Sequence, residues 1–481
     1  MKTKVVLHTV GLIMLIEAGL LLLPVIVGMI FHEQASVSAF LITVCVTAAA
    51  GGLLLLIKPA ANTIYAREGL AITGLSWIML SLFGCLPFVI SGQIPNPVDA
   101  FFETVSGFTT TGASILTDIE ALDKSMLFWR SFTHWIGGMG ILVFGMIIIP
   151  LGGKRSMHLL RAESPGPSSG KLVPHMRDTA GILYGIYIAM SALMLVLLLA
   201  GGMPLYDGLI NVFGTAGTGG FSNHSASIGF YDSEYFEVVI GVFMLLFGVN
   251  FNLYFLMLMK RFRTALSSEE LHWYLGFVAF AVITIAANIN SLYGSFHQAV
   301  RHSFFAVSSI ITTTGFGTMD FDTWPQYSRT LLVLLMFIGA CAGSTGGGLK
   351  VSRVILLQRT VKRGMRRMIH SRAVGSVRFE GRMMEEDTIN ACLIYLAVYC
   401  MISVASVLLV SLDNFSFETN VTGVIACINN IGPGLGMVGP AGNYASFTAL
   451  SKLVLSFDML AGRLELFPVL LLFYPSTWKR S

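Results

Sequence analysis

The residues with the clearest chemical use in this chain are threonines and glycines gathered in short stretches. They read TTTGFG at 312–317, FTTTGAS at 108–114, AGTGGFS at 216–222 and NNIGPGLG at 429–436. The glycines Gly112, Gly219, Gly315 and Gly432 recur at spacings of 107, 96 and 117 residues, too regular for incidental loop composition. Glycine permits the backbone angles that line up successive carbonyls, and threonine hydroxyls can face the same axis. Four such stretches around one line offer rings of oxygens, the coordination that replaces the hydration shell of a bare monovalent cation. No Ser/His/Asp, paired-carboxylate or metal constellation is legible elsewhere, so an enzyme is not expected. The six cysteines (Cys45, Cys85, Cys341, Cys392, Cys400, Cys427) stand singly in apolar segments, which indicates neither a disulfide framework nor a zinc site.

The elements that must hold these stretches follow from hydropathy. A chain of 481 residues that is 54% hydrophobic and 12% charged, with apolar runs from end to end, is a polytopic helical membrane protein. The first run, HTVGLIMLIEAGLLLLPVIVGMIF, is too long for a signal-peptide core and is read as a retained span. Each Thr/Gly stretch follows an apolar span and then a short helix with start signals: Asn96-Pro97, Pro204, Ser295 and Ser416. About 12 residues of helix rise roughly 18 Å, short of the ~30 Å hydrocarbon core. Such a helix enters the membrane without crossing it, and the chain must return through the Thr/Gly stretch before a second span. Non-helical backbone at that depth is tolerated only where protein or a water-filled cavity receives its polar groups.

The expected plan is all-α: four pseudo-symmetric units of span, pore helix, filter and span around one pore, preceded by two extra transmembrane helices. The units are residues 61–155, 178–264, 268–360 and 385–481, after an extension at 1–60, with basic connections at 156–177 and 361–384. This amounts to ten full spans and four half-helices. Basic residues gather at Lys58 to Arg67, Lys154 to Arg177, Lys260 to Arg263 and Arg353 to Arg382; alternate connections carry Asp99, Glu103, Asp118, Glu120 and Asp123, or Asp232, Glu234 and Glu237. The positive-inside rule then puts both termini in the cytoplasm and the acidic connections outside the plasma membrane, where they either are simply solvated or concentrate cations.

With TTTGAS, GTGGFS, TTTGFG and NNIGPG as four ordered filters, and two extra spans near 9–31 and 38–57, the whole chain resembles the Trk/Ktr/HKT superfamily of potassium transporters, specifically a TrkH-type membrane subunit. The resemblance implies potassium as the ion, since relatives that favour sodium replace the first filter glycine by serine and Gly112 is present. It implies coordination mainly by the backbone carbonyls of Thr110, Thr111, Gly112, Thr218, Gly219, Thr313, Thr314, Gly315, Asn430, Ile431 and Gly432. It further implies a homodimer with one pore per protomer. The expected partner is a separate cytosolic ring of RCK-type, nucleotide-binding (TrkA-like) subunits. No organic cofactor and no nucleic acid are expected.

GACAGSTGGGLK at 339–350 interrupts the third unit's second span. It fails the phosphate-loop spacing because Leu349 separates Gly348 from Lys350, so it is either a packing kink or, as the resemblance implies, an intramembrane gate: Gly343, Ser344, Thr345, Gly346, Gly347, Gly348 and Lys350. Arg463, in an apolar span with Asp458 and Glu465, is read equally as half of a buried pair or, as the resemblance implies, as a cation near the pore. His134, beside the run Gly137-Gly138-Met139-Gly140, is read as a packing histidine. The basic stretch RTVKRGMRRMIHSR serves as a membrane anchor and can touch anionic lipid or a cytosolic partner. The rival function is a proton- or sodium-coupled secondary transporter, whose inverted repeats would conflict with four units of one orientation.

Overall fold

The computed structural model describes residues 2–58, 65–148, 176–370 and 375–479. Of the expected basic connections, most of 156–177 and part of 361–384 lie outside the described residues. Among the described residues, the strands are a single two-residue hairpin pairing Arg378 with Met383 and Phe379 with Arg382. Everything else that is regular is helix.

Two N-terminal spans come first, Thr3–Leu20 continued by Leu22–Ile30, and Gln34–Leu55. Both begin earlier than expected, because the helices run past their apolar cores into the polar ends. Gly11 and Gly51 let them touch: a Cβ on Gly11 would lie 2.8 Å from the Gly51 carbonyl oxygen, and one on Gly51 2.9 Å from that of Gly11.

Four units follow. The outer spans are Ala66–Gly84 with Leu86–Ile90, Met176–Ala200, Glu269–Ile289 and Glu386–Val410. The pore helices are Pro97–Phe108, Leu205–Ala216, Phe296–Ile311 and Phe417–Ile428. The Asn96, Ser295 and Ser416 side chains accept the amides of Val98, Gln298 and Thr419, so three of the start signals are working N-caps. Pro204 caps the other without a side-chain bond.

The inner spans differ in how continuously they run. Lys124–Ile148 is continuous, but Glu234–Phe247 and Phe251–Leu258 meet at 89°. Gln326–Ile338 and Val351–Ile369 are parted by residues 339–350, and Ala449–Arg463 and Phe467–Phe473 by 464–466. Six described helices are long and apolar enough to cross a membrane alone, and the bent pair makes a seventh. The interruptions face the place where the four units meet, where freed backbone groups find partners.

The main core packs the first pore helix between its own inner span and the fourth unit: Phe102, Phe108, Trp129, Tyr444 and Met459 are all buried there. Pro87 has no amide hydrogen and breaks the first outer span, and the Trp129 indole donates to the buried Gly84 carbonyl at 2.9 Å.

Candidate ion pathway

Each pore helix ends the same way. The amides of Thr110 and Thr111 donate to Gly107 and Ser106 carbonyls at 3.1 and 2.9 Å. Thr218 and Gly219 do so to Thr215 and Gly214, Thr313 and Thr314 to Ile310 and Ser309, and Asn430 and Ile431 to Cys427 and Ala426. This paired pattern is the Schellman cap, which needs one left-handed residue. That residue is Thr110, Thr218, Thr313 or Asn430, with φ between +53° and +59°. A β-branched residue rarely adopts this conformation, and three threonines doing so at equivalent positions is the kind of strain found at functional sites.

Two residues further on, φ turns positive again, at Gly112 (+80°), Gly220 (+79°), Gly315 (+82°) and Gly432 (+93°). The glycine alignment is therefore corrected in the second unit: Gly220, not Gly219, matches the other three. Gly219 occupies the position of Thr111, Thr314 and Ile431, where an ordinary backbone suffices. TGG presents two glycines, and only the cap decides which one must be left-handed.

These glycines mark where neighbouring filters meet. A Cβ on Gly112 would overlap the Gly219 carbonyl oxygen, one on Gly220 that of Thr314, and one on Gly315 that of Ile431. A Cβ on Gly432 would lie 2.7 Å from the Thr111 carbonyl oxygen, which closes the circle. Thus the carbonyls of Thr111, Gly219, Thr314 and Ile431 converge in the order of the four units, and among the described residues no donor is bonded to them. The Asn430 amide ties the fourth filter to the first, donating to the Thr111 hydroxyl at 3.0 Å and the Met459 carbonyl at 2.9 Å.

Behind the second filter stands His134, fully buried, its Nδ1 2.7 Å from the Gly107 carbonyl oxygen and its ring 4.2 Å from that of Phe221. The packing role expected of it is what the structure shows. Gly137 and Gly138 allow the first inner span to press on the filter bases, since a Cβ on Gly137 would overlap the Phe108 carbonyl oxygen.

The interrupted stretch of the third inner span lies against the filter bases. The Gly347 amide donates to the Thr313 hydroxyl at 2.6 Å, and Gly347 abuts the Asn429 carbonyl. Gly343 and Gly348 take positive φ, Ser344 bonds the Cys341 carbonyl, and the Lys350 ammonium folds back onto the Gly346 carbonyl. The Thr345 hydroxyl donates to Phe247, Cys341 donates to Gly248 at 3.0 Å, and Phe251 donates to Gly343 at 3.0 Å, so this loop docks where the second inner span bends.

Arg463 is buried, with Nη1 2.7 Å from the Thr345 carbonyl oxygen and Nη2 3.0 Å from that of Gly137. The carboxylates considered as its partners are engaged elsewhere: Glu465 pairs with Arg353 at 2.6 Å, and Asp458 accepts from Ser406 at 2.7 Å. This arginine is thus held by two carbonyls, one on the loop and one on the first inner span.

The sequence model of the family described as TrkH, cation transport protein, matches residues 32–289 and 272–480. The chain belongs to the TrkH family. It is 36% identical over 489 residues to the Trk system potassium uptake protein TrkH of Salmonella typhimurium, with 100% of both chains covered. It is 31% identical over 485 residues to the Trk system potassium uptake protein TrkG of Escherichia coli, with 99% of each covered. The crystal structure of the potassium transporter TrkH from Vibrio parahaemolyticus matches it with a TM-score of 0.89 at 31% identity, over 100% of both chains. A polytopic helical membrane protein is therefore established, and its relatives are transporters.

One important residue of this TrkH-family chain escapes the sequence. Glu270 Oε1, buried in the first turn of the third outer span, accepts the amides of Ala342 at 2.7 Å and Ser352 at 3.1 Å, holding both ends of the loop. Glu380, at the tip of the hairpin, in turn accepts the Glu270 amide at 3.0 Å. Because one oxygen makes both loop bonds, Glu270→Gln should unfold near the wild-type temperature. Glu270→Leu removes the acceptor and should cost about 2–4 kcal/mol, read as a lower thermal midpoint in detergent. Equal midpoints for all three proteins would refute the clamp.

Proposed function

We propose that this protein takes up potassium across the cell membrane through a gated pore lined by backbone carbonyls. The observation that carries the reading is the closed ring of convergent Thr111, Gly219, Thr314 and Ile431 carbonyls, unbonded by any described donor. Oxygens without hydrogen-bond donors at membrane depth are stable only if something else compensates them, and a dehydrated monovalent cation does so. The names of the relatives support potassium as that ion. As proposed ligands, the left-handed Gly112, Gly220, Gly315 and Gly432 and the bases Thr110, Thr218, Thr313 and Asn430 extend the ring along one line.

The loop at 343–348 acts in this reading as the gate. It rests against the third and fourth filters and is latched by Arg463, whose fixed charge near the path disfavours cations. Basic ends face the cytoplasm. The exposed Lys362, Arg366 and Arg367 on Val351–Ile369 continue the gated span and offer a cytosolic nucleotide-binding subunit a surface coupled to the loop.

Flux into liposomes holding the purified protein tests this directly, with potassium or sodium outside and a proton ionophore present or absent. Potassium-selective flux that needs no proton or sodium gradient is the expected result. Flux that stops once the ionophore or sodium removal abolishes the driving gradient would establish coupled transport instead.

A further inference from the structure

The four units meet at four seams, and three of these are closed by an ion pair between one inner span and the next pore helix. Glu237 holds Arg301 through two bonds of 2.6 and 2.7 Å, Arg329 meets Glu418 at 2.5 Å, and Lys452 meets Asp99 at 2.6 Å. Each inner-span partner is the fourth residue of its helix. The first inner span has Leu127 at that place, and the corresponding acid of the second pore helix, Asp207, accepts from Asn223 instead. Among the described residues, the first seam lacks this outer ion pair and carries only a neutral hydrogen bond there, from the Tyr206 hydroxyl to the Lys124 carbonyl at 2.7 Å.

It has something deeper. One turn further along the first inner span, Arg130 Nε lies 2.6 Å from Glu103 Oε1. Arg130 Nη1 donates to the Ser222 carbonyl at 3.0 Å, and the guanidinium sits 3.5 Å over the Phe221 ring. Glu103 also accepts the Ser114 hydroxyl and the Ile115 amide, both at 2.9 Å. Ser114 and Ile115 follow Gly112 almost at once, and Phe221 and Ser222 follow Gly220. The pair therefore joins the segments leaving the first and second filters, with Ser114 and Ser222 each three residues beyond Thr111 and Gly219.

Its burial argues against a purely stabilising role. The two side chains are 2% and 0% exposed, whereas every outer clamp has at least one partner 18% or more exposed. Desolvating two charges offsets most of their attraction, and such pairs are often replaceable by apolar residues without loss of stability. What an apolar pair cannot do is hold Ser114, Ile115 and Ser222 in fixed register. Selectivity depends on the spacing and field of the carbonyl cage.

We propose that Glu103 and Arg130 are positioning residues for ion selectivity, fixing the first two filter segments against each other at the seam whose described outer residues form no ion pair. The inference rests on the potassium-pore reading above. It is tested with the full chain in liposomes, comparing potassium and sodium flux for wild type, Glu103→Gln, Arg130→Lys and the doubly substituted Glu103→Gln/Arg130→Met. The expected result is at least a tenfold fall in the potassium-to-sodium ratio in each. Glu237→Gln, at an outer clamp, should lower the thermal midpoint and keep the ratio. If a single variant does not fold, the double variant, which buries no charge, decides. A folded double variant with the wild-type ratio would overturn the inference. A wild-type chain without potassium preference would instead overturn the proposed function, so the two failures are distinct.

Discussion

Gly220→Ala is expected to abolish selective potassium flux, and removing the His134 ring should not restore it. Gly219→Ala should be impaired as well, but for another reason, and there His134→Ala should bring flux back. The two glycines are adjacent, and their surroundings differ completely. Gly220 has φ +79°, strained for any L side chain by about 1–3 kcal/mol, and its Cβ would overlap the Thr314 carbonyl oxygen. That obstacle is filter backbone and cannot yield without opening the ring, so a loss of about fivefold to 150-fold follows from the strain alone. Gly219 has no positive φ, and its counterparts Thr111, Thr314 and Ile431 all carry side chains. The three atoms nearest to its Cβ would all belong to the His134 ring. Truncating His134 clears the space at the cost of its contact with the Gly107 carbonyl, so rescue should be partial. Rescue of Gly220→Ala, or indistinguishable behaviour at the two positions, would return the register to Gly219.

The second large effect is a gain. Arg463→Ala should raise potassium flux by about tenfold or more while the potassium-to-sodium ratio stays put. Arg463 makes two charge-assisted hydrogen bonds, to the loop through Thr345 and to the first inner span through Gly137. Each is worth about 1.5–3 kcal/mol, and losing one of them shifts a closed-to-open equilibrium by about tenfold or more. The filter carbonyls are untouched, so ion preference should not follow. Arg463→Lys, able to reach one carbonyl at a time, should fall between. Unchanged flux from well-folded Arg463→Ala would remove both the latch and the gate it secures.

The sequence is most legible where structure is local. Pore-helix boundaries could be read because Asn96, Ser295 and Ser416 each cap the helix they precede. Four filters could be recognised because short glycine-rich polar runs recur in an apolar chain with their glycines spaced by 107, 96 and 117 residues. The second filter was misaligned by one residue because its cap depends on hydrogen bonds to Gly214 and Thr215. Aligning Ser222 with Ser114, or Thr218 with Thr110, would have found the right register. The break at 464–466 has neither Pro nor Gly; Glu465 and Leu466 take positive φ while Glu465 is held by Arg353, over a hundred residues away. Glu270 is hidden for the same reason. Its first-turn position reads as helix-start chemistry, and only the fold brings residues 342 and 352 to it.

The inequality of the four seams bears on how such a pore can change over generations. In a channel assembled from four copies of one chain, every mutation is quadrupled, and a slight misfit at one contact becomes a misfit all the way round. Here each quadrant is encoded separately, so one codon alters one quarter of the ring. Pro433 stands in the fourth filter where the others have Ala113, Phe221 and Phe316, and Leu127 stands where the other inner spans carry Glu237, Arg329 and Lys452. Carrying four units in one chain thus turns an all-or-nothing design into one that can be adjusted in small steps.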